Sequence, residues 1–111
     1  MVIQIVQFEL AGISPQAYEA RAEQIAPEFA HLPGLIAKAW LADADANTYG
    51  GVYLWTDRAA AEAYADGELL GAAARNPAFA NFRSSIFDTL AAPTELTTRG
   101  LAGLSAAELL P

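Results

Sequence analysis

The stretch YGGVYLWTD at residues 49–57 decides the fold, because a strand pattern runs directly into a helix start. Tyr53 and Trp55 lie two residues apart, so on a strand they project to the same face, while Val52 and Leu54 project to the other. The Thr-Asp pair that ends the stretch is typical of a helix N-cap. We therefore predict a strand with two aromatic side chains on one sheet face, followed at once by a helix.

A predicted strand and a predicted helix precede this stretch. Val2–Leu10 is rich in β-branched and aromatic residues, which indicates a central strand. Ser14 then provides an N-cap and Pro15 the favoured first helical position. One apolar helical stripe follows, made of Tyr18, Ala22, Ile25, Phe29 and Leu32. Pro27 lies inside it, and we expect the helix to kink or restart there because proline lacks the amide donor and clashes with the preceding turn.

The remaining predicted elements are a second strand over Leu35–Leu41, a third over Tyr49–Trp55, helical segments from Thr56 or Asp57 to Gly67 and over Glu68–Arg75, and a last strand over Ser84–Leu90. In the second strand, Ile36, Lys38 and Trp40 share one predicted face. The order strand, helix, strand, strand, helix, strand is that of the ferredoxin-like split βαβ fold. We therefore predict an α+β protein with an antiparallel sheet in the order 4-1-3-2, helices on one face and a bare second face.

The length of 111 residues fits a single domain, to which we assign residues 1–90. We expect residues 91–111 to form an extended arm that packs on a partner subunit, with Ser105 and Glu108 at capping-box spacing. Hydrophobic residues make up 54% of the chain, which exceeds the roughly 45–50% of an average soluble domain. This excess predicts that apolar surface is buried in a homodimer.

The formal net charge of −7 opposes binding to nucleic acids and to anionic membranes. Residues 47–54 imitate part of an RNA-recognition strand, but Asn47 stands where a basic residue is expected and Gly51 where an aromatic ring would stack on a base. The absence of cysteine excludes disulfides and thiolate chemistry. Because the sequence shows neither a leader pattern nor a membrane-spanning apolar run, we expect a cytoplasmic protein.

A set of residues between about 33 and 90 resembles the YdhR-like family of monooxygenases. The set comprises Pro33, Gly34, Leu35, Lys38, Trp40, Gly50, Gly51, Val52, Tyr53, Leu54, Trp55, Thr56, Asp57, Tyr64, Phe87 and Asp88. That family looks like a branch of the dimeric α+β barrel superfamily, which also contains the antibiotic-biosynthesis monooxygenases. The resemblance implies a homodimer whose sheets join into a barrel, with a pocket between sheet and helices in each subunit. It also implies oxygenation of aromatic substrates without metal or flavin, as some members of the superfamily perform it.

Aromatic residues on neighbouring strands are the first candidates for substrate binding. Trp40, Tyr53 and Trp55 could line one pocket and offer an apolar wall with N–H and O–H donors, or they could simply pack in the core. Tyr49 stands at the entrance of its strand, at a pocket rim or in a turn. The resemblance adds Tyr64, Phe87 and Asp88.

Few residues are candidates for proton transfer or for orienting a substrate. His31 is the only histidine and has the one unperturbed pKa suited to proton transfer near neutral pH, although a histidine at a helix end also complements the helix dipole. Gln4, in a strand expected to be buried, needs hydrogen-bond partners in a pocket or at a dimer interface. Asp88 could orient a donor or act as a base if it is buried. The alternative is an exposed carboxylate at the end of a strand. Tyr53 is the third catalytic candidate, through its hydroxyl.

No metal or cofactor motif is visible in the sequence. A single histidine makes a poor metal site, and because His31 precedes the second helical region, that region supplies no histidine to a heme. We therefore predict no cofactor and no metal. The leading hypothesis is a cofactor-independent monooxygenase that acts on a small apolar or aromatic molecule and dioxygen. The alternative is a small-ligand-binding or stress-related homodimeric scaffold without catalysis.

Overall fold

A computed structural model describes residues 1–102. Its elements are β1 (Val2–Leu10), α1 (Pro15–Ala30), β2 (Leu35–Asp43), β3 (Thr48–Trp55), α2 (Arg58–Ala65), α3 (Glu68–Arg75), β4 (Phe79–Asp88), α4 (Ala91–Thr97) and α5 (Arg99–Ala102). The four strands form one antiparallel sheet in the order β2-β3-β1-β4. This is the predicted order 4-1-3-2 counted from the opposite edge, so the ferredoxin-like α+β fold is confirmed. No helix within residues 1–102 is long and apolar enough to cross a membrane.

The helix starts follow the capping chemistry of the sequence. The Ser14 hydroxyl accepts a hydrogen bond from the Ala17 amide at 3.1 Å, and Pro15 occupies the first turn. At the end of β3, the Asp57 carboxylate accepts from the Ala60 amide at 2.9 Å. The helix α1 is continuous through Pro27, so the predicted restart at that residue does not occur.

The two faces of the sheet differ in burial. Along β1 the even-numbered residues Val2, Gln4, Val6 and Phe8 are buried, while the odd-numbered residues are half-exposed. The buried face packs against Tyr18 and Phe29 of α1 and against α2 and α3, and it forms the hydrophobic core. The other face carries apolar residues that stay outside this core: Ile3, Ile5, Val52, Leu54 and Phe87. The predicted bare sheet face is therefore present.

The second and fourth strands differ from their predicted bounds. The strand β4 begins at Phe79, five residues before the predicted start, because Asn81 adopts a positive φ of 54° and a register shift against β1 keeps the ladder paired beyond it. The strand β2 ends at Asp43, two residues beyond the predicted Leu41, and its pairing with β3 shifts between Leu35 and Ala37. Leu35 therefore packs against the core and Ile36 is 54% exposed, so placing Ile36 on the face of Lys38 and Trp40 was wrong.

The segment after the sheet is helical where the structure describes it. The helices α4 and α5 form the described part of the predicted arm, and its packing on a partner subunit stays a prediction. Leu90 and Leu96 are 78% and 62% exposed, which leaves apolar side chains on the surface of this segment. The predicted capping box at Ser105 and Glu108 lies outside the described residues.

Candidate functional site

A cavity of about 460 Å³ lies between the buried sheet face and the helices. This volume falls within the range of roughly 300–1,000 Å³ that is typical of small-molecule sites. Its wall is mostly apolar and aromatic, with contributions from all four strands and from α1, α2 and α3. The lining includes Val6, Phe8, Tyr18, Ile25, Phe29, Trp40, Tyr53, Tyr64, Leu69, Leu70, Phe79 and Phe82. The cavity can therefore hold a small molecule with one or more rings.

Lys38 is the one lysine of the chain, and it lines this cavity. Its Nζ lies 3.4 Å from the ring centroid of Phe29, 3.3 Å from that of Trp40 and 4.6 Å from that of Tyr53. Burial lowers the pKa of the Lys38 amine to about 7, because the ammonium loses part of its hydration. The ring faces favour the ammonium by about 0.5–2 kcal/mol and oppose that shift. Both protonation states are thus accessible near neutral pH.

Two tyrosine hydroxyls meet at the cavity wall. Tyr53 Oη and Tyr64 Oη are 2.9 Å apart, and either one can donate to the other. Burial raises the pKa of Tyr53 far above its ordinary value and that of Tyr64 to about 12. Both phenols therefore stay protonated at neutral pH. Because one O–H is used within the pair, the other can donate a hydrogen bond to a bound molecule.

A chain of two hydrogen bonds that joins Trp55, Gln4 and Ser84 lies behind Tyr53. The Trp55 ring stacks on the Tyr53 ring with centroids 6.0 Å apart and planes at 4°. Trp55 Nε1–H donates to Gln4 Oε1 at 3.0 Å, and Gln4 Nε2 donates to Ser84 Oγ at 3.0 Å. Gln4 and Trp55 are both fully buried, yet neither lines the cavity. The hydrogen bond to Gln4 holds the Trp55 ring beside that of Tyr53.

The structure brings three of the predicted substrate-binding and catalytic residues to the cavity: Trp40, Tyr53 and Tyr64. Trp55 and Gln4 lie one layer behind them. Gln4 faces the helices, so it is not at the bare sheet face where a dimer-interface hydrogen bond would form. Tyr49 is buried and packs edge-on against Tyr18, with centroids 5.3 Å apart, instead of standing at a rim.

The remaining predicted site residues lie away from the cavity lining. His31 is exposed at the C-cap of α1. Phe87 is 51% exposed on the opposite sheet face. Asp88 is exposed at the end of β4, where its carboxylate accepts from Arg58 Nε at 3.1 Å. Lys38 is a titratable residue of the cavity that the sequence did not single out as a proton-transfer candidate. The available signal was a single lysine between apolar neighbours, two residues before Trp40.

Within residues 1–102, no group of three or more histidine, aspartate or glutamate side chains is arranged to hold a metal ion. The charged residues that line the cavity are Arg21, Glu28 and Lys38. The site can bind an apolar ring, donate a hydrogen bond from a tyrosine and exchange a proton at an amine.

Comparison with known proteins relates this architecture to oxygenases. A family model described as "Putative mono-oxygenase ydhR" matches residues 2–100. A variant of SnoaB, a cofactor-independent oxygenase from Streptomyces nogalater, is 27% identical, with a TM-score of 0.61 over 79% of this chain and 91% of that one. The heme-degrader MhuD from Mycobacterium tuberculosis, with two hemes bound in its active site, is 22% identical, with a TM-score of 0.65 over 81% and 96%. A protein of unknown function from Nitrosomonas europaea is 20% identical, with a TM-score of 0.67 over 82% and 90%. None of the curated proteins matches the chain.

Proposed function

This chain belongs to the ydhR mono-oxygenase family, and from that membership we propose that it is a cofactor-independent monooxygenase acting on a small aromatic molecule. The observation that carries the proposal is the apolar cavity of about 460 Å³ with a protonated tyrosine pair in its wall. The likeness to SnoaB, which is a cofactor-independent oxygenase, supports the same reaction class.

In this reaction the substrate itself reduces dioxygen. A ring CH₂ group activated by neighbouring carbonyl or phenol groups loses a proton, and the resulting anion transfers electrons to dioxygen. One oxygen atom becomes a ring C=O, and the other leaves as water. The apolar wall excludes water and orients the ring, while a hydrogen bond from Tyr53 or Tyr64 stabilises the negative charge.

We expect the protein to accelerate oxygen uptake with an anthrone-type or reduced anthraquinol-like substrate. Tyr53→Phe and Tyr64→Phe should each lower kcat/KM by about tenfold or more, because each removes a hydroxyl from the donor pair. Oxygen-electrode assays with product analysis measure this effect. Tyr49→Phe is the matched control, since Tyr49 is a buried tyrosine that does not line the cavity, and it should keep the wild-type rate.

A non-catalytic ligand-binding scaffold predicts a different result. The wild type would then bind the substrate without oxygen uptake above that of buffer, and the Tyr53→Phe variant would retain much of that affinity. Substrate binding without oxygen uptake by the wild type would contradict the oxygenase proposal, and so would a Tyr53→Phe variant with the turnover of the wild type.

Self-association is the second part of the proposal. The sheet face of Ile3, Ile5, Val52 and Leu54 is apolar and outside the core, and a second copy would cover it. Residues 1–90 would form the barrel domain of each subunit. Residues 91–111 would then pack on the partner, beginning with α4 and its exposed Leu96.

We expect Ile5→Lys to weaken the homodimer by about tenfold or more, because a charge would be buried at the centre of the interface. Ile5 lies on the central strand opposite Val52, in the middle of that face. Ala20→Lys, at an exposed position of α1, adds the same charge elsewhere and should leave the association unchanged. Sedimentation equilibrium measures both. A wild type that stays monomeric at high concentration would end this part of the proposal.

A further inference from the structure

Neighbouring residues determine where the Lys38 side chain lies. Its strand partner across the sheet is Tyr53, and its side chain passes over Gly51, where an added Cβ would lie 2.8 Å from Lys38 Cε. The absence of a side chain at residue 51 therefore gives the lysine room beside the cavity wall. Phe29 of α1 and Trp40 of β2 hold the Nζ between their rings.

The charge of Lys38 lacks an anionic partner. Within the described residues it forms no salt bridge and no side-chain hydrogen bond. The titratable groups that share the cavity are the protonated phenols of Tyr18, Tyr53 and Tyr64 and, from α1, the side chains of Arg21 and Glu28. None of the carboxylates in the described part of the chain lies within 4.0 Å of the amine. A bound anion would supply the missing charge in a site with low polarity.

We propose that Lys38 is the base of this site and that its substrates are aromatic molecules with an acidic enol or phenol hydroxyl. In the step, the O–H bond of the substrate breaks, either that of a phenol or that of the enol tautomer of its activated CH₂ group. The proton forms a new N–H bond with the neutral amine, and the electron pair stays on the substrate oxygen. The products are an ammonium and an enolate or phenolate, held as an ion pair. No oxidant is needed for this transfer, and the tyrosine pair donates to the new anion.

The inference rests on the proposed oxygenase function, and it adds the identity of the base and the acidic class of the substrate. It also explains how an anion can form at neutral pH in a cavity without a histidine. The Lys38 amine is available as a base only when it is deprotonated. The kcat/KM of the wild type should therefore rise as pH increases through about 7 and level off above that value.

The binding test uses 4-nitrophenol, whose phenolate absorbs visible light, and nitrobenzene as the matched probe without the hydroxyl. At pH 6, where free 4-nitrophenol is mostly protonated, the wild type should bind it with the phenolate spectrum. Lys38→Met should bind it about tenfold or more weakly and without that spectrum. Nitrobenzene should bind both proteins with equal affinity, which shows that the cavity of the variant is intact. Binding of 4-nitrophenol in its neutral form to the wild type would overturn the inference.

A second variant separates the function of Lys38 as a base from the effect of its positive charge. Lys38→Arg keeps a cation but cannot accept a proton, so it should still bind the phenolate while its kcat/KM falls by about tenfold or more at neutral pH. Its activity should recover at high pH, where the substrate ionises by itself. Selective ¹³C labelling of lysine in the wild type gives one side-chain signal, whose titration reports the protonation of Lys38 directly. A Lys38→Arg variant with the wild-type pH profile would contradict the role as base.

The two proposals fail in different ways. If oxygen uptake is absent but 4-nitrophenol ionises on binding only when Lys38 is present, the acidic ligand class stands and the oxygenase function falls. If oxygen uptake persists unchanged in Lys38→Met, the oxygenase function stands and the inference about Lys38 falls.

Discussion

The Gln4→Leu variant is expected to lose about 2–3 kcal/mol of the free energy of unfolding. Leucine fills a similar volume, but it leaves the buried Trp55 Nε1–H without its acceptor, and an unpaired buried donor costs about 1–3 kcal/mol. The exposed residue Ser84 also loses its partner but can turn to water. Urea unfolding followed by tryptophan fluorescence, at one fixed protein concentration, measures the loss.

Gln7→Leu is the matched control for this prediction. Gln7 is the other glutamine of β1, but it is half-exposed on the opposite sheet face and forms no side-chain hydrogen bond within the described residues. Its substitution should change the free energy of unfolding by no more than about 0.5 kcal/mol. A double variant that adds Trp55→Phe removes both members of the hydrogen bond, so the two changes should couple by about 1 kcal/mol. If Gln4→Leu and Gln7→Leu change the free energy of unfolding equally, the buried hydrogen bond from Trp55 to Gln4 does not stabilise the fold as proposed.

The two glutamines also show how far the sequence predicts the fold. Alternation places them on opposite faces of β1, and the order of the elements predicts the sheet, but neither pattern determines which face the helices cover. That choice depends on long-range packing of residues such as Tyr18 and Phe29 against Val6 and Phe8. The early start of β4 was missed for a similar reason. A positive φ at Asn81 and a bulge against β1 continue the ladder through a polar residue, and both depend on the partner strand.

The sequence predicted apolar residues of the candidate site, but it did not predict which titratable side chain lies there. Trp40 and Tyr53 follow from strand alternation, and both line the cavity. Histidine is the residue type best suited to proton transfer near neutral pH, yet His31 is exposed at the end of α1. The ordinary pKa of a lysine lies far above neutral, and desolvation by burial lowers the pKa of Lys38 to about 7. A property created by tertiary contacts cannot be deduced from residue type and spacing.

The Gly50→Ala variant is expected to lose more than about 4 kcal/mol of the free energy of unfolding, which is enough to unfold many domains of this size. Gly50 has a φ of 145°, and an added Cβ would lie 1.9 Å from the carbonyl oxygen of Val6. That oxygen belongs to the central strand β1, so relief of the clash would separate β1 from β3. Val6 and Tyr53 of the cavity wall would move with these strands.

Gly12→Ala is the control that measures the cost of a positive φ without a steric clash. Gly12 also has a positive φ, of 75°, but an added Cβ there meets no atom within 4 Å. Its substitution should therefore cost only about 1–2 kcal/mol, the conformational cost of a positive φ at a residue with a side chain. Circular dichroism, amide NMR spectra and urea unfolding compare the two variants. If Gly50→Ala folds with the stability of Gly12→Ala, the close approach of β3 to β1 does not constrain this position.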